Sequence, residues 1–433
     1  MNILYLNCHD MGCYNSVYGY QIPTPNLQKL AEESTVFTNM HCTSPTCSPS
    51  RGSLMTGRYP HSNGLTGLVH RGFSLRDPQQ HLAYFFQSHG FHTALSGFQH
   101  EASDPRTLGY QQLLHDGKSS NNVEFDHMTT DAAVRFLNEK HAEPFFLTVG
   151  FLYPHREYLP YRTIDPDFVR VPSCLPDCDE TRRDFADYME SVRFMDQNAG
   201  KVLQALRDNG LYEDTLIIMT TDHGIAFPFM KCNLYATGTN VTLMIKLPGQ
   251  KQRKRVDTLC SQLDVYPTLC EILEFEKPKG LQGLSLLPLL KGEEMPSSRT
   301  IFGEVNYHAC YEPMRSIRTE RYLLIKRFDL SFNGMIMPNM DDGKTKRYLM
   351  EKGLREMVHE PLELYDTLLD PAERNNLANK DEYRGIRDEL LKQLEEHMRQ
   401  TEDPLLSGSY PKPAGAKINL RSCTHPYEKN YEA

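Results

Sequence analysis

The sequence predicts an α/β protein: one large mixed, mostly parallel sheet flanked by helices, with a smaller α+β subdomain after it. Three observations carry that prediction. Short apolar or β-branched runs at Asn2–Asn7, Pro144–Leu152 and Asp214–Thr221 alternate with helical patterns, as buried parallel strands do. Each run stops at ionisable residues: Cys8-His9-Asp10, Tyr153-Pro154-His155 and Asp222-His223. Open parallel sheets place ligand groups at such strand ends. Beyond about residue 295 the spacing tightens to short strands followed by a charged amphipathic helix. The division is therefore residues 1–295 as a catalytic domain and 296–433 as a C-terminal subdomain with a small antiparallel sheet and a helix.

Composition narrows the partners. A hydrophobic content of 39% with 24% charged residues fits a globular protein with a sizeable core. The formal charge of -9 leaves no basic field for nucleic acid, so an anionic ligand must be drawn by a local positive pocket. No apolar run reaches the ~20 residues of a membrane span. Met1-Asn2-Ile3-Leu4-Tyr5-Leu6-Asn7 lacks a basic leader and reads as the first strand, which gives a cytoplasmic expectation. The 11 cysteines are scattered and odd in number, which suits a reducing compartment better than a disulfide framework.

Along the chain, the strand Asn2–Asn7 is followed by a helix opening at Thr24-Pro25, where proline suits the first turn. Next comes Cys47-Ser48-Pro49-Ser50-Arg51-Gly52-Ser53-Leu54-Met55-Thr56-Gly57-Arg58, a loop turning into a helix. Pro49 is expected at the first helical position, Ser48 as its cap and Gly57 as its stop. Cys47 would then face free N–H groups and the positive end of the helix dipole, with Arg51 one turn on. That is an anion site holding a reactive atom. Leu82–His89 reads as a helix and Phe91–Ser96 as a strand ending in Gly97-Phe98-Gln99-His100-Glu101. Residues 180–210 form a long helix stopped at Asn209-Gly210. Leu263–Leu269 leads into another helix, and Gly280–Glu294 forms the edge of the main domain. Thr300–Val305 and Tyr322–Lys326 read as strands, and 381–401 as a helix with Leu390, Leu391 and Leu394 on one face.

The Cys47 stretch resembles the signature of the type I sulfatases, Cys-x-Pro-x-Arg followed by x-x-x-Thr-Gly, at Cys47, Pro49, Arg51, Thr56 and Gly57. The resemblance extends over nearly the whole chain. It includes Gly57–Gly64 and Asp222-His223-Gly224, and then Glu363-Leu364-Tyr365-Asp366, Asp370-Pro371 and Asn376-Leu377. Its look is nearest the N-sulfoglucosamine sulfohydrolase (sulfamidase) and heparan sulfatase branch. It implies an alkaline-phosphatase-like sheet, with Cys47 oxidised to formylglycine by a maturation enzyme. It also implies one divalent metal ion, Ca²⁺ by resemblance, held by Asp10, Asp222, His223, His9 and the modified Cys47. Two positions depart from the family pattern: His9 stands where the first acidic ligand is usual, and Phe98 where many members have lysine.

The resemblance further implies the division of labour. One hydroxyl of the formylglycine hydrate attacks sulfur, and the other later loses its proton as sulfate is expelled. Arg51 holds the hydrate, and His100 takes the proton. His155 and Lys231 bind the sulfate and protonate the leaving group. The expected activity is hydrolysis of a sulfate ester or sulfamate of a small sulfated substrate, a sugar or an aryl sulfate. Two readings compete with it: a phosphonate monoester hydrolase or phosphodiesterase of the same superfamily, and a non-catalytic binder of sulfated glycans. Tyr307, His308 and Arg315 are candidates to line the pocket, and 101–125, 156–180 and 328–350 are its variable loops.

Overall fold

The computed structural model describes residues 1–295 and 299–432. In chain order the elements are β1 (Asn2–Cys8), α1 (Pro25–Ala31), β2 (Thr35–Phe37), β3 (Met40–His41), α2 (Cys47–Thr56) and α3 (Pro60–Asn63). They continue with α4 (Leu82–Ser88), β4 (His92–Gly97), β5 (Gln112–Leu113), α5 (Asn122–Leu137), β6 (Phe145–Gly150), α6 (Asp179–Asp208) and β7 (Thr215–Thr221). Then come α7 (Ala236–Thr239), β8 (Leu243–Lys246), β9 (Lys254–Val256), β10 (Cys260–Ser261), α8 (Val265–Ile272) and α9 (Leu287–Lys291). The C-terminal part holds β11 (Ile301–Tyr307), β12 (Tyr311–Arg318), β13 (Tyr322–Arg327), α10 (Lys344–Glu351), β14 (Leu362–Asp366) and α11 (Arg384–Gln400).

The main sheet has eight strands in the order β5-β4-β6-β1-β7-β8-β2-β9. Only β8 runs antiparallel to its neighbours, β7 and β2. The alternation along β1 builds both cores. Ile3 and Tyr5 face the α2, α4 and α8 side, whereas Leu4 and Leu6 face α1, α5 and α6. These strands are buried on both faces, so they read as continuous apolar runs. The first of these cores continues without a break into Ile317, Leu324 and Leu364 of the second sheet and Leu390 and Leu394 of α11. That sheet is antiparallel, in the order β11-β12-β13-β14, and α11 packs on β12 and β13. The expected α/β architecture with a small antiparallel C-terminal sheet is thus present. The expected division after residue 295 falls at 296–298, outside the described residues. No helix of the described residues is long and apolar enough to cross a membrane.

One local reading needs correction, and two elements add to the sequence reading. The α2 helix starts at Cys47 itself, with Thr46 at the cap position and no side-chain cap bond. Ser48 is therefore inside the first turn, where its hydroxyl accepts from Val69 N at 3.2 Å, and Pro49 is the third helical residue. Proline is tolerated there because the first-turn N–H groups lack intrahelical partners in any case. Between the two strands read at Thr300–Val305 and Tyr322–Lys326, Tyr311–Arg318 forms a further strand, β12. The α5 helix was not legible in the hydrophobic pattern, yet Asn121 caps it by accepting from Glu124 N at 2.9 Å.

Candidate active site

The turns after β1 and β7 are stitched together at the carboxyl edge of the sheet. Asp10 N donates to Asp222 Oδ1 at 2.9 Å, Met11 N to Thr221 Oγ1 at 3.1 Å, and Gly12 N to His223 O at 2.8 Å. Asp10 adopts a left-handed φ of 48°, which turns its carboxylate inward. Such strain in a residue other than glycine persists only where the surroundings fix it. The α2 helix delivers Cys47 to the same point, 3.3 Å from His223 Nε2. His223 Nδ1 lies 2.9 Å from Gly224 O, which can only accept, so Nδ1 carries the proton and Nε2 presents a lone pair to the cluster. Asp10, Cys47, Asp222 and His223 thus offer ligand atoms within 4.8 Å of one another.

Cations surround these groups. Arg51 Nε donates to Asp222 Oδ2 at 3.1 Å, and its Nη2 to Cys8 O at 3.3 Å. Lys231 Nζ lies 3.0 Å from Asp10 Oδ2 and 2.9 Å from Asp341 Oδ2. His155 Nε2 is 3.8 Å from Asp10 Oδ2. Burial alone would raise Asp10's pKa, but Lys231, His155 and His223 outweigh it and hold the carboxyl well below its usual range. Asp222 is held down likewise, against its burial, by His223, Arg51 and His9. Burial is the main influence on the Cys47 thiol and pushes it up, so the unmodified cysteine stays a thiol at neutral pH.

Three carboxylates therefore meet only two permanent side-chain cations, Arg51 and Lys231, in a buried place. Among the described residues, Asp10 Oδ1 has no hydrogen-bond donor. His9 Nδ1 lies 3.0 Å from Asp222 Oδ2 but off the angle of a hydrogen bond, and its Nε2 is also unpartnered. Orphan acceptors and surplus negative charge in one buried cluster are what a hard divalent cation satisfies.

Cys47, His9, His155 and Lys231 bring the cluster to the floor of a cavity of about 620 Å³, with Phe98, His100, His308 and Asp341 among its walls. Phe98 puts an aromatic ring beside the cluster, 4.5 Å from the His9 ring centroid and 5.7 Å from the Arg51 guanidinium. His100 Nε2 is 3.0 Å from His70 Nδ1, a partner the sequence did not reveal. Asp126 accepts from Leu152 N and Tyr153 N at 2.7 and 3.0 Å and so fixes the turn that carries His155. Burial raises the Asp126 carboxyl to about 7 despite those bonds. Of the sequence-predicted catalytic and metal residues, His9, Cys47, His100, His155 and Lys231 line this cavity, and Asp10, Arg51, Asp222 and His223 are buried beneath it in contact with them. Asp341 is a further member that sequence reasoning missed.

Of the three proposed lining residues, only His308 faces the cavity. Tyr307 points away and donates to Tyr410 O at 2.6 Å. Arg315 is turned into the opposite side of the C-terminal sheet, where it holds Asp403 with two bonds. Residues on one strand alternate faces, so proximity in sequence did not place these two at the site.

A parallel sheet that gathers hard oxygen ligands and cations at one cavity defines a hydrolase of anionic ester groups. The family model for sulfatases matches residues 2–275, and that for the N-sulphoglucosamine sulphohydrolase C-terminal region matches 222–360. The chain belongs to the sulfatase family and is a sulfuric ester hydrolase. Human N-sulphoglucosamine sulphohydrolase is 30% identical, over 93% of this chain and 91% of its own. A structure solved in complex with its substrate D-glucosamine-2-N,6-O-disulfate is similar with a TM-score of 0.72 at 20% identity, covering 93% of this chain and 98% of the other. A phosphonate monoester hydrolase from Silicibacter pomeroyi has a TM-score of 0.73 at 19% identity, covering 98% and 100%. At such identities the structural likeness speaks for the fold alone.

Proposed function

We propose that this sulfatase removes sulfate from a sulfated amino sugar, as sulfamate or ester, through a formylglycine made from Cys47 by a maturation enzyme. The observation that carries the reading is the convergence of Cys47 with His223, Asp10 and Asp222 on one floor, flanked by Arg51, Lys231 and His155. The choice of an amino-sugar sulfate is supported by the likeness to human N-sulphoglucosamine sulphohydrolase along nearly the full length of both chains. The protonated, buried thiol supports the modification, since a plain cysteine here would be a poor nucleophile.

Asp10, Asp222, His223 and His9 would hold one divalent cation, Ca²⁺ in this reading. When bound, it supplies Lewis-acid polarisation of the sulfate oxygens and favours ionisation of the attacking hydroxyl. The protein's own groups do the rest. Arg51, locked on Asp222, keeps positive charge beside residue 47. Lys231, held between Asp10 and Asp341, aims its ammonium at the same floor and binds the sulfate. His155 stands at the cavity side of Asp10, where it can give a proton to the departing nitrogen or oxygen. His100, which lines the cavity with Cys47 and contacts His70 through Nε2, would take the proton from residue 47 when sulfate leaves.

Mass spectrometry of the peptide spanning 42–58 tests the modification: conversion lowers its mass by about 18 Da, the difference between a thiol and an aldehyde side chain. An active preparation with an intact thiol would sink the mechanism. Paired rates on N-sulfated glucosamine and an aryl phosphonate test the substrate class. A preference for the phosphonate would favour the fold likeness to the phosphonate monoester hydrolase instead.

A further inference from the structure

The floor of the cavity accounts for a sulfate, but the cavity is far larger than that anion. Its volume of about 620 Å³ falls in the range of sites for whole small-molecule ligands. The upper wall is made by a segment of residues 418–432. Pro426 and Tyr427 line the same cavity as Cys47 and Lys231. Residues 418–432 fold back on themselves as a strap: Leu420 N donates to Asn430 O at 2.8 Å, Glu432 N to Ile418 O at 2.7 Å, and Asn419 Nδ2 to Glu428 O at 2.6 Å.

This strap is anchored to the site. Arg71, which follows the His100 partner His70, donates from Nη1 to Asn419 Oδ1 at 2.7 Å and from Nη2 to Pro426 O at 2.7 Å. Lys346 is 1% exposed and spends its ammonium on three carbonyls, Met337 O, Met340 O and Thr424 O, at 2.9, 2.7 and 2.8 Å. That lysine ties the strap to the segment that ends at Asp341, the partner of Lys231. Immediately after the anchored Thr424 and Pro426, Tyr427 remains 65% exposed. The ring is thus held on a pinned backbone at the rim of the same cavity whose floor carries Cys47 and Lys231, with a face left free for a ligand to pack on.

We propose that Tyr427 is the platform for the non-sulfated part of the substrate, stacking on the sugar ring while the floor holds the sulfate. The strap 418–432 is thereby a specificity element of the site. The proposal rests on the sulfatase reading above. The test uses the full chain carrying Cys47→Ala, so that ligand is bound and not turned over, in calcium-containing buffer. Titration calorimetry with N-sulfated glucosamine and, separately, with inorganic sulfate reads the two halves of the cavity. Adding Tyr427→Ala should weaken the sugar about fivefold to tenfold, as loss of a stacked ring does, and leave sulfate within about twofold. Adding Tyr427→Phe should keep most of the sugar affinity. Equal sugar affinity with and without the ring, or an equal loss for both ligands, would overturn the platform. If the Cys47→Ala parent binds neither ligand, the reading of the floor as a sulfate site fails and the platform fails with it. A parent that binds sulfate while Tyr427→Ala changes nothing refutes the platform alone.

Discussion

Two buried clusters in this protein use the same kinds of side chain. One is the active-site floor, with Asp10, Asp222, His223 and Cys47. The other lies at the seam between the main sheet and the C-terminal sheet, where His61, Glu304 and Asp403 also bring ligand-type atoms within 4.8 Å. Their surroundings separate them. At the seam, Arg315 grips Asp403 with two bonds, His61 pairs with Glu304, and Asn306 bridges Glu304 to Arg315. Rings close it off: Tyr59 stacks on His61 at 5.8 Å, and Phe302 stacks on His397 at 3.6 Å. At the floor, Asp10 Oδ1 and both His9 nitrogens lack hydrogen-bond partners, and the cluster opens into the large cavity. His61 Nε2 at the seam also lacks a partner among the described residues, but both seam carboxylates are met by donors. Carboxylates met by donors under a lid of rings hold a fold together, whereas an unmet carboxylate under a cavity awaits a ligand.

Substitutions should split the two clusters cleanly. Cys47→Ala should cut sulfate release by at least about 10³. Its thermal midpoint should stay near that of wild type, because a small side chain at a helix start is all that is lost. Arg315→Met should do the reverse. It strands Asp403 and Glu304 in a buried place, which costs about 3–5 kcal/mol of stability, read by urea unfolding. The rate per folded molecule should hardly change. An Arg315→Met protein that is stable but inactive would erase the distinction drawn here.

Lys231→Ala should lower the rate by about 10²–10³, the usual cost of removing one positive group from a developing anion. The loss should fall on kcat/KM for sulfated substrates. It should be smaller on stability than that of Arg315→Met, because Asp10 can still be met by a cation in the floor. Chelation sharpens the contrast. Stripping divalent ions should abolish activity and lower stability by about 2–3 kcal/mol where the ion is present at some hundredfold above its Kd. Calorimetric midpoints should recover on adding Ca²⁺ to wild type and fail to do so for Asp10→Ala. Equal recovery in both would place the ion elsewhere, the seam included.

The floor was largely legible in the sequence and the seam was not, for a physical reason. Asp10, Asp222 and His155 follow buried strands directly, and parallel strands that share a direction end at one edge. Reading where each apolar run stops therefore names the groups that meet. Cys47 and Arg51 lie one turn apart on α2, so one motif placed both. Asp341 lies in irregular chain far from Lys231 in sequence, and no local pattern points from one to the other. His70 follows a stretch with no period. Arg315 and Tyr307 were misplaced because a strand shows its two faces alternately, and which face meets the cavity is settled by the docking of the whole second sheet. His61, Glu304 and Asp403 come from three separate segments, and only tertiary packing unites them. The helix cap misread at Ser48 is the same lesson in small: three successive residues, Thr46, Cys47 and Ser48, all permit a helix start, and the tertiary bond from Val69 N to Ser48 helps select among them.

The smallest effect expected is also the one that isolates a single proton. His397 belongs to the seam, and burial first, then the neighbouring His61, lowers its pKa to about 4. In the unfolded chain it would titrate near 6.5. Between those values the unfolded chain binds a proton that the folded protein does not, so stability falls as pH drops from 6.5 toward 4 and is unaffected above that window. At pH 5.5 the loss from this one group is about 1 kcal/mol. Phenylalanine can lie on Phe302 much as the imidazole does, with rings 2° from parallel, but cannot titrate. His397→Phe should therefore lose about 1 kcal/mol less than wild type between pH 7.5 and 5.5 in urea melts, while the pH profile of sulfate release stays the same. An unchanged acid limb would mean that the seam tolerates a charged His397. A shifted pH–rate profile would mean that the seam and the floor are coupled through the core they share.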